Sequence, residues 1–412
     1  MDNDLLLKKS DLIINNIESK GFARFDPRDI RFYDFNVPRF IHRYFRYGIL
    51  LLEQFCPFMV RKMLNISPQN IPTAYTHVAE AYLLAEKNDI KLTNKNSSLE
   101  ICESGLKQFY IENEEDAYWP GVLNKDFCVI AEKYHARPYL DMHRLARYNI
   151  LLLDLGKFYH IQKYIEIACK TALDTIQLYS LNFYPDGIVS IPYLYNSDDC
   201  VLNVNTEFAQ WLSMIPEEYQ NEKFKEIVNG IIRLMISEQN EDGSWKYYSK
   251  EHVRRYKVVE NGIDCNHTAT LFTNMLNVLK YPVLDSRLRV VLLESVNKGM
   301  RFFKDTFFDP QTGKAKAILG HRRPAGPVEY SEAVFAFYEY CLSKEVDVNL
   351  QKEIYSLLPK VIGQIASLIN NDGSSPCDRV IKWVNIDSIR WGNGPALQAF
   401  MCFLALQNRN RK

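Results

Sequence analysis

Paired cysteines are missing from this sequence: nine residues, an odd number, are scattered with no CxxC among them. That excludes a disulfide framework and a structural zinc site as organising devices, and it favours a reducing, cytoplasmic setting. An excess of charge is missing too. Lys plus Arg and Asp plus Glu each total 50, so no basic stripe asks for nucleic acid and no charged tail appears. Long apolar runs are also lacking: the stretch around 150–155, interrupted by Asp154, falls far short of the ~20 residues needed for a membrane span, as does every other run. Residues 1–10 are too acidic and too short in apolar length for a signal peptide. No GxGxxG, GxxxxGK[ST], HExxH or GxSxG occurs, so nucleotide binding, metalloprotease and serine-hydrolase chemistry lack their usual signatures. No cofactor and no metal site is expected.

What is present reads as a soluble globular chain of 412 residues, 47% hydrophobic and 24% charged. It holds 25 Tyr, 23 Phe and 5 Trp, a supply that suits either a sugar-stacking cleft or a bulky core. The organising feature is a repeat. Segments with a polar opening and a small, apolar continuation begin near 73, 138, 203, 264, 329 and 391, at intervals of 65, 65, 61, 65 and 62 residues. Between them lie amphipathic patterns around 40–56, 97–113, 158–180, 221–239, 285–306 and 348–370, with apolar residues at i, i+3, i+4 and i+7. Glycine turns such as QNEDGSW at 239–245 and NNDGSS at 370–375 stop several of them.

A helix apolar on every side must be buried, and an amphipathic one covers it. Six of each predict an all-α fold, an (α/α)6 toroid of inner and outer rings, with short β pieces confined to loops; a superhelical solenoid is the competitor. Residues 1–35 precede the repeat and are expected as an N-terminal arm, with 36–412 as a single toroid domain.

In such a ring the inner helices run the same way, so their N-termini meet at one mouth. The residues there are of catalytic type. His143, His267, Glu207, Asp264, Glu332 and Tyr330 are the acid/base candidates. Arg147, Asn205, Arg322, Arg323, Arg390, Trp391 and Trp119 are the candidates for binding substrate, the arginines as clamps for an anion. Capping alone would account for Asp264, and Trp119 or Trp245 could pack under turns rather than stack on a sugar.

The strings QNEDGSW, GIDCNHTATLFTNML, GMRFFKDTFFDPQTGKAK, VEYSEA and SIRWGNGPALQAFMCFLAL follow one another in an order that resembles bacterial α/α-toroid proteins of polysaccharide biosynthesis clusters. GFARFDPRDIRFYDF and MLNISPQNIPTAYTHVAEAYL extend the resemblance over most of the chain. It implies a role in capsule or exopolysaccharide production and a fold shared with glucuronyl 5-epimerases, polysaccharide lyases and terpene-cyclase-like toroids. Asp264, His267, Arg390, Trp391 and Gly392 fall on the family's helix starts, although GNGPA stands where GQAW is expected.

The leading expectation is an enzyme that abstracts a proton from an acidic sugar or oligosaccharide, as a uronate epimerase or lyase. His267 and Tyr330 would be acid and base, and Arg147, Arg322 or Arg390 would neutralise the carboxylate. The alternatives are a glycoside hydrolase using carboxylates from Glu207, Asp264 and Glu332, a glycan-binding scaffold for glycosyltransferases, and, as a minor one, a terpene-cyclase-like enzyme lacking the usual DxDD acid.

Overall fold

Six helices of the chain are buried on nearly every side. They are Pro72–Lys87, Met142–Tyr159, Leu202–Met214, Cys265–Val278, Pro327–Leu342 and Gly394–Arg409. The computed structural model describes residues 2–27, 30, 39–109, 111–112, 117–118, 141–194, 197–258, 261–377 and 386–409. Within them each inner helix packs on the next and the sixth packs on the first, so the ring is closed. This is the α/α toroid and not an open solenoid. The third inner helix is the extreme case, with all of Leu202–Met214 buried.

Each of Ser98–Phe109, Gln162–Leu178, Glu222–Glu238, Ser286–Phe307 and Val348–Leu368 covers the inner helix that precedes it. Their one-sided patterns do this: Phe224, Ile227, Ile231 and Met235 of the third outer helix are buried, while Lys223 and Lys225 pair with glutamates outside. Burying each such side chain contributes about 1.5–3 kcal/mol relative to leaving it in water. Asn221 and Asp285 cap the third and fourth outer helices by accepting from the N–H groups of Phe224 (2.9 Å) and Leu288 (2.8 Å).

The sixth outer position is filled from the other end of the chain. Helix Asn3–Lys20 packs on Gly394–Arg409. Its Leu6, Ser10, Ile13, Ile14 and Ile17 are buried, a stripe at i, i+4, i+7, i+8 and i+11. The segment expected as an arm therefore supplies an outer helix. Helix Arg39–Phe55, which the periodicity placed in the outer ring, pairs instead with Pro57–Met63 around Ile30 and Val60, apart from the main core.

Glycine turns lock neighbouring outer helices together. Gly243 has φ +95°, and a Cβ there would lie 2.9 Å from the Lys298 carbonyl of the fourth outer helix. Gly373 has φ +77° and would place a Cβ 2.0 Å from the Leu12 carbonyl. Asn16 donates to the Asp372 carbonyl at 2.9 Å and Lys9 to that of Ile369 at 2.6 Å. Replacing Gly373 by alanine would part the two ends of the chain. Trp245, buried beneath the earlier turn, donates from Nε1 to the Met235 carbonyl at 2.8 Å, which fixes it as a packing residue and not a sugar platform.

The loops before successive inner helices are stitched by single bridges, Asp141 to Leu194, Val201 to Tyr248 and Asp264 to Ile318. Three further bridges, Arg24 to Gln69, Phe308 to Ala315 and Lys316 to Pro324, and two short pairings, 111–112 with 117–118 and 182–183 with 189–190, complete the β structure among the described residues. No described helix is long and apolar enough to cross a membrane.

Candidate active site

Residues four apart lie on one face of a helix. Five inner helices use that spacing at their N-terminal ends to line a cavity of about 170 Å³: Thr73 with His77, His143 with Arg147, Asn203 with Glu207, Asn266 with Thr270, and Val328 with Glu332. The sixth contributes Arg390 and Trp391 from a wide π-helical turn, Ile389–Asn393. His267, Tyr193 and Tyr247 complete the wall.

Two histidines there are each backed by a carboxylate. His143 Nδ1 lies 2.8 Å from Glu207 Oε2 and 3.0 Å from Oε1. The imidazole is 27% exposed and the carboxylate wholly buried, so the ring faces the cavity with the acid behind it. His267 Nδ1 lies 2.7 Å from Asp264 Oδ2, while Asp264 Oδ1 caps the helix by accepting from His267 N–H at 2.9 Å. A carboxylate on Nδ1 fixes the ring's orientation and tautomer, which directs Nε2 to a substrate.

The two dyads sit in different electrostatic states. Burial, with Arg147 opposing it, pushes the Glu207 carboxyl up to about 8, and burial pushes His143 down to about 3. The neutral pair therefore holds one proton at pH 7. Burial also acts on Asp264, but the charge and hydrogen bonds of His267 outweigh it and hold that carboxyl below its ordinary range. One dyad is thus neutral at both members, while the other sets an ionised carboxylate against its histidine.

Arg147 forms the floor. Its Nη2 donates to Glu80 at 3.0 Å, and Gln398 joins Glu80 (2.7 Å) to His77 Nδ1 (2.8 Å). Burial pushes Glu80 and Glu332 up to about 7 despite Arg147. Burial opposes the charge on Arg147, but Glu80, Glu332 and Glu207 together raise its pKa. One cation thus serves three buried carboxyls. Below this floor lies a second cavity of about 260 Å³, reached from the C-terminal ends of the inner helices.

Arg390 stacks 4.4 Å over the Trp391 ring, and its Nη1 lies 3.5 Å from Asp26. Trp391 Nε1 donates to Asp26 at 3.1 Å. Burial and the neighbouring Arg144 lower the Arg390 pKa. Thr73 Oγ1 and Asn203 Oδ1 are buried at the cavity without a hydrogen-bond partner among the described residues.

The sequence candidates divide accordingly. His143, His267, Glu207, Glu332, Arg147, Arg390 and Trp391 share the cavity, with Asp264 behind His267. Tyr330 does not line it: its hydroxyl accepts from the Ala315 N–H at 3.2 Å and the ring is buried. Asn205 is also turned away, its amide spanning Ile191 N–H (2.8 Å) and C=O (3.1 Å). Arg323 pairs with Glu329, which folds back to accept from Gly326 N–H, and Arg322 is exposed outside the cavity. Trp119 lies outside the described residues. Glu80, Gln398, Tyr193 and Tyr247 were not singled out from the sequence. Among the described residues no three His, Cys, Asp or Glu side chains come together to hold a metal ion.

No family model and no curated protein matches the chain by sequence. Its structure resembles that of a sugar epimerase from a ruminal bacterium (13% identity, 82% of this chain and 87% of that one, TM-score 0.59). It also resembles a possible member of the GH105 family from Salmonella enterica (10% identity, 100% and 96% covered, TM-score 0.63). A third likeness is to the cellobiose 2-epimerase of Bacillus thermoamylovorans (11% identity, 83% and 88% covered, TM-score 0.58). The fold is the same α/α toroid.

Proposed function

We propose that the chain is an enzyme that abstracts and returns, or eliminates across, a proton on an acidic sugar or oligosaccharide held at the N-terminal mouth. The observation that carries this reading is the pair of histidine–carboxylate dyads on one cavity, His143 held by Glu207 and His267 held by Asp264. His267, oriented by Asp264 and acting in its neutral form, is the base. It takes the proton at the carbon next to the uronate carboxyl, leaving an enolate whose negative charge develops on that carboxyl. Arg390 is the cation placed to oppose that charge. His143, holding the dyad's proton with Glu207, returns a proton to the same carbon in an epimerase; in a lyase it protonates the departing oxygen as the double bond forms. Thr73 Oγ1 and Asn203 Oδ1 are placed to accept from sugar hydroxyls.

The same geometry weighs against hydrolysis by paired carboxylates. Glu207 and Asp264 each spend their oxygens on a histidine, which leaves Glu332 alone of the three. The presence of sugar epimerases among the structural likenesses supports the proton-transfer reading. A place in surface-polysaccharide biosynthesis, with glycosyltransferases of the same pathway as partners, rests on the sequence resemblance.

The test is incubation in deuterated buffer with oligosaccharides containing glucuronate or galacturonate. Deuterium at carbon 5, or growing absorbance from an unsaturated uronate, is expected and should vanish in His267→Ala. New reducing ends with neither signal would overturn the proposal in favour of a hydrolase.

A further inference from the structure

Eight of the fifteen large hydrophobic side chains that stand exposed among the described residues lie within 44–63. They are aligned. On helix Arg39–Phe55 the residues Tyr44, Tyr47, Leu51 and Phe55 recur at i, i+3, i+7 and i+11, and Phe58 and Met63 carry the stripe onto Pro57–Met63. Tyr44 is 78% exposed, Leu51 64% and Met63 65%, so the ring does not cover this face. The opposite face is packed. Ile49, Leu50 and Leu52 lie against Val60 and Ile30, and Arg61 pairs with Glu53 at 3.1 Å in the interior. The hairpin has a core of its own and turns its remaining apolar face outward.

Charge narrows the choice of occupant. Apart from the internal Arg61–Glu53 pair, the sequence from 39 to 63 holds Arg39, Arg43, Arg46 and Lys62 and no acid, in a chain whose net charge is zero. An isologous dimer through this face would bring two such cationic segments together. An anionic bilayer offers a complement to every part: acyl chains for Leu51, Phe55 and Met63, the headgroup level for the tyrosines, and negative surface potential for the cations. We infer that the 39–63 hairpin is a peripheral docking surface for anionic membranes, lying in the interface without spanning it. The inference is independent of the proposed chemistry.

Flotation of the full chain with vesicles tests it. Vesicles of phosphatidylcholine alone are compared with equimolar phosphatidylcholine and phosphatidylglycerol, at low and high salt. Binding to the anionic vesicles, weakened by salt, is expected. Leu51→Glu combined with Phe55→Glu should weaken it by an order of magnitude or more, and Lys62→Ala by about fivefold. Val290→Glu, at an exposed site on the fourth outer helix, should leave it unchanged. All of these side chains are solvent-exposed, so circular dichroism should show unaltered melting. Failure to bind anionic vesicles, or equal binding by the double variant, overturns the inference. So does a wild-type dimer in sedimentation velocity that the double variant disperses, which would give the face to a second copy.

Discussion

The two mouths of the ring are made by the same six helices and hold cavities of comparable size, yet among the described residues only one is lined by histidine–carboxylate dyads. At the C-terminal mouth charges meet their opposites directly: Lys87 lies 3.6 Å from Asp154, and Lys280 pairs with Glu339. At the N-terminal mouth imidazoles are held by carboxylates, and the arginine of the floor is shared by Glu207, Glu332 and, on the side of the other cavity, Glu80. The difference follows from helix direction. First-turn N–H groups need capping oxygens, which brings Asp141 and Asp264 to this end. Loops joined by single bridges close over it. The comparison teaches that burial, rather than the mere presence of charge, separates carboxyls with perturbed pKa values from solvated ion pairs.

The sharpest way to break that contrast is to remove the dyads. His267→Ala and His143→Ala should each lower uronate proton exchange by about 10²–10⁴-fold, the usual contribution of a positioned acid or base, with the fold retained by circular dichroism. Solvent-derived deuterium surviving in both variants would move the chemistry away from this mouth.

Next in size is the floor. Arg147→Ala leaves Glu80, Glu207 and Glu332 buried without their common cation, and removing one partner of a buried charge network costs about 3–5 kcal/mol. Denaturant unfolding should show that loss at pH 8 and less of it at pH 6, where the carboxyls can take up protons. An equal loss at both values would mean that packing, not charge, makes Arg147 matter.

The wild-type chain should show the same electrostatics as a pH slope. A carboxyl whose pKa is raised on folding withdraws stability as pH climbs from the ordinary carboxylate range to the folded value. For Glu80 and Glu332 that window ends near 7, and for Glu207 near 8. His143, lowered to about 3, acts in the opposite sense, adding stability as pH rises from about 3 to the ordinary histidine value of about 6.5. Above that value, of these four groups, only the glutamates still titrate, so they should lower the melting temperature between about pH 6.5 and 8. Glu207→Gln should flatten the upper part of the fall. A profile rising with pH in that interval would contradict a protonated Glu207.

How far this site could be read from sequence depends on helical phase. The intervals between polar helix starts disclosed the ring, and their place at the starts of inner helices disclosed His143 and His267. A helix apolar all round gives no signal for which face meets the axis. Each residue rotates the side chain by about 100°, so Glu332 faces the cavity while Tyr330, two positions earlier, meets the Ala315 backbone. Asn205 and Glu207 differ in the same way. The missed signal was the i,i+4 partner: Asn203 with Glu207 and Thr73 with His77 share a phase that Asn205 and Tyr75 do not. Glu80 and Gln398 stayed hidden because they meet only across the ring, through Arg147 and His77. The sixth outer helix was overlooked because its partner lies at the far end of the chain.

The smallest expected effect completes the contrast between the mouths. Lys280 is half exposed, so its pair with Glu339 is screened by water and should contribute only about 0.2–1 kcal/mol in a double-mutant cycle of Lys280→Ala and Glu339→Ala. Neither change should alter proton exchange at the opposite mouth by more than about twofold, because Arg147 and Glu80 stand between the cavities and distant sites act independently. A large loss of exchange with little loss of stability would show instead that the two cavities communicate through the floor. Asp154→Asn, at the same mouth and removing a charge that raises the Glu80 pKa, would then locate the coupling.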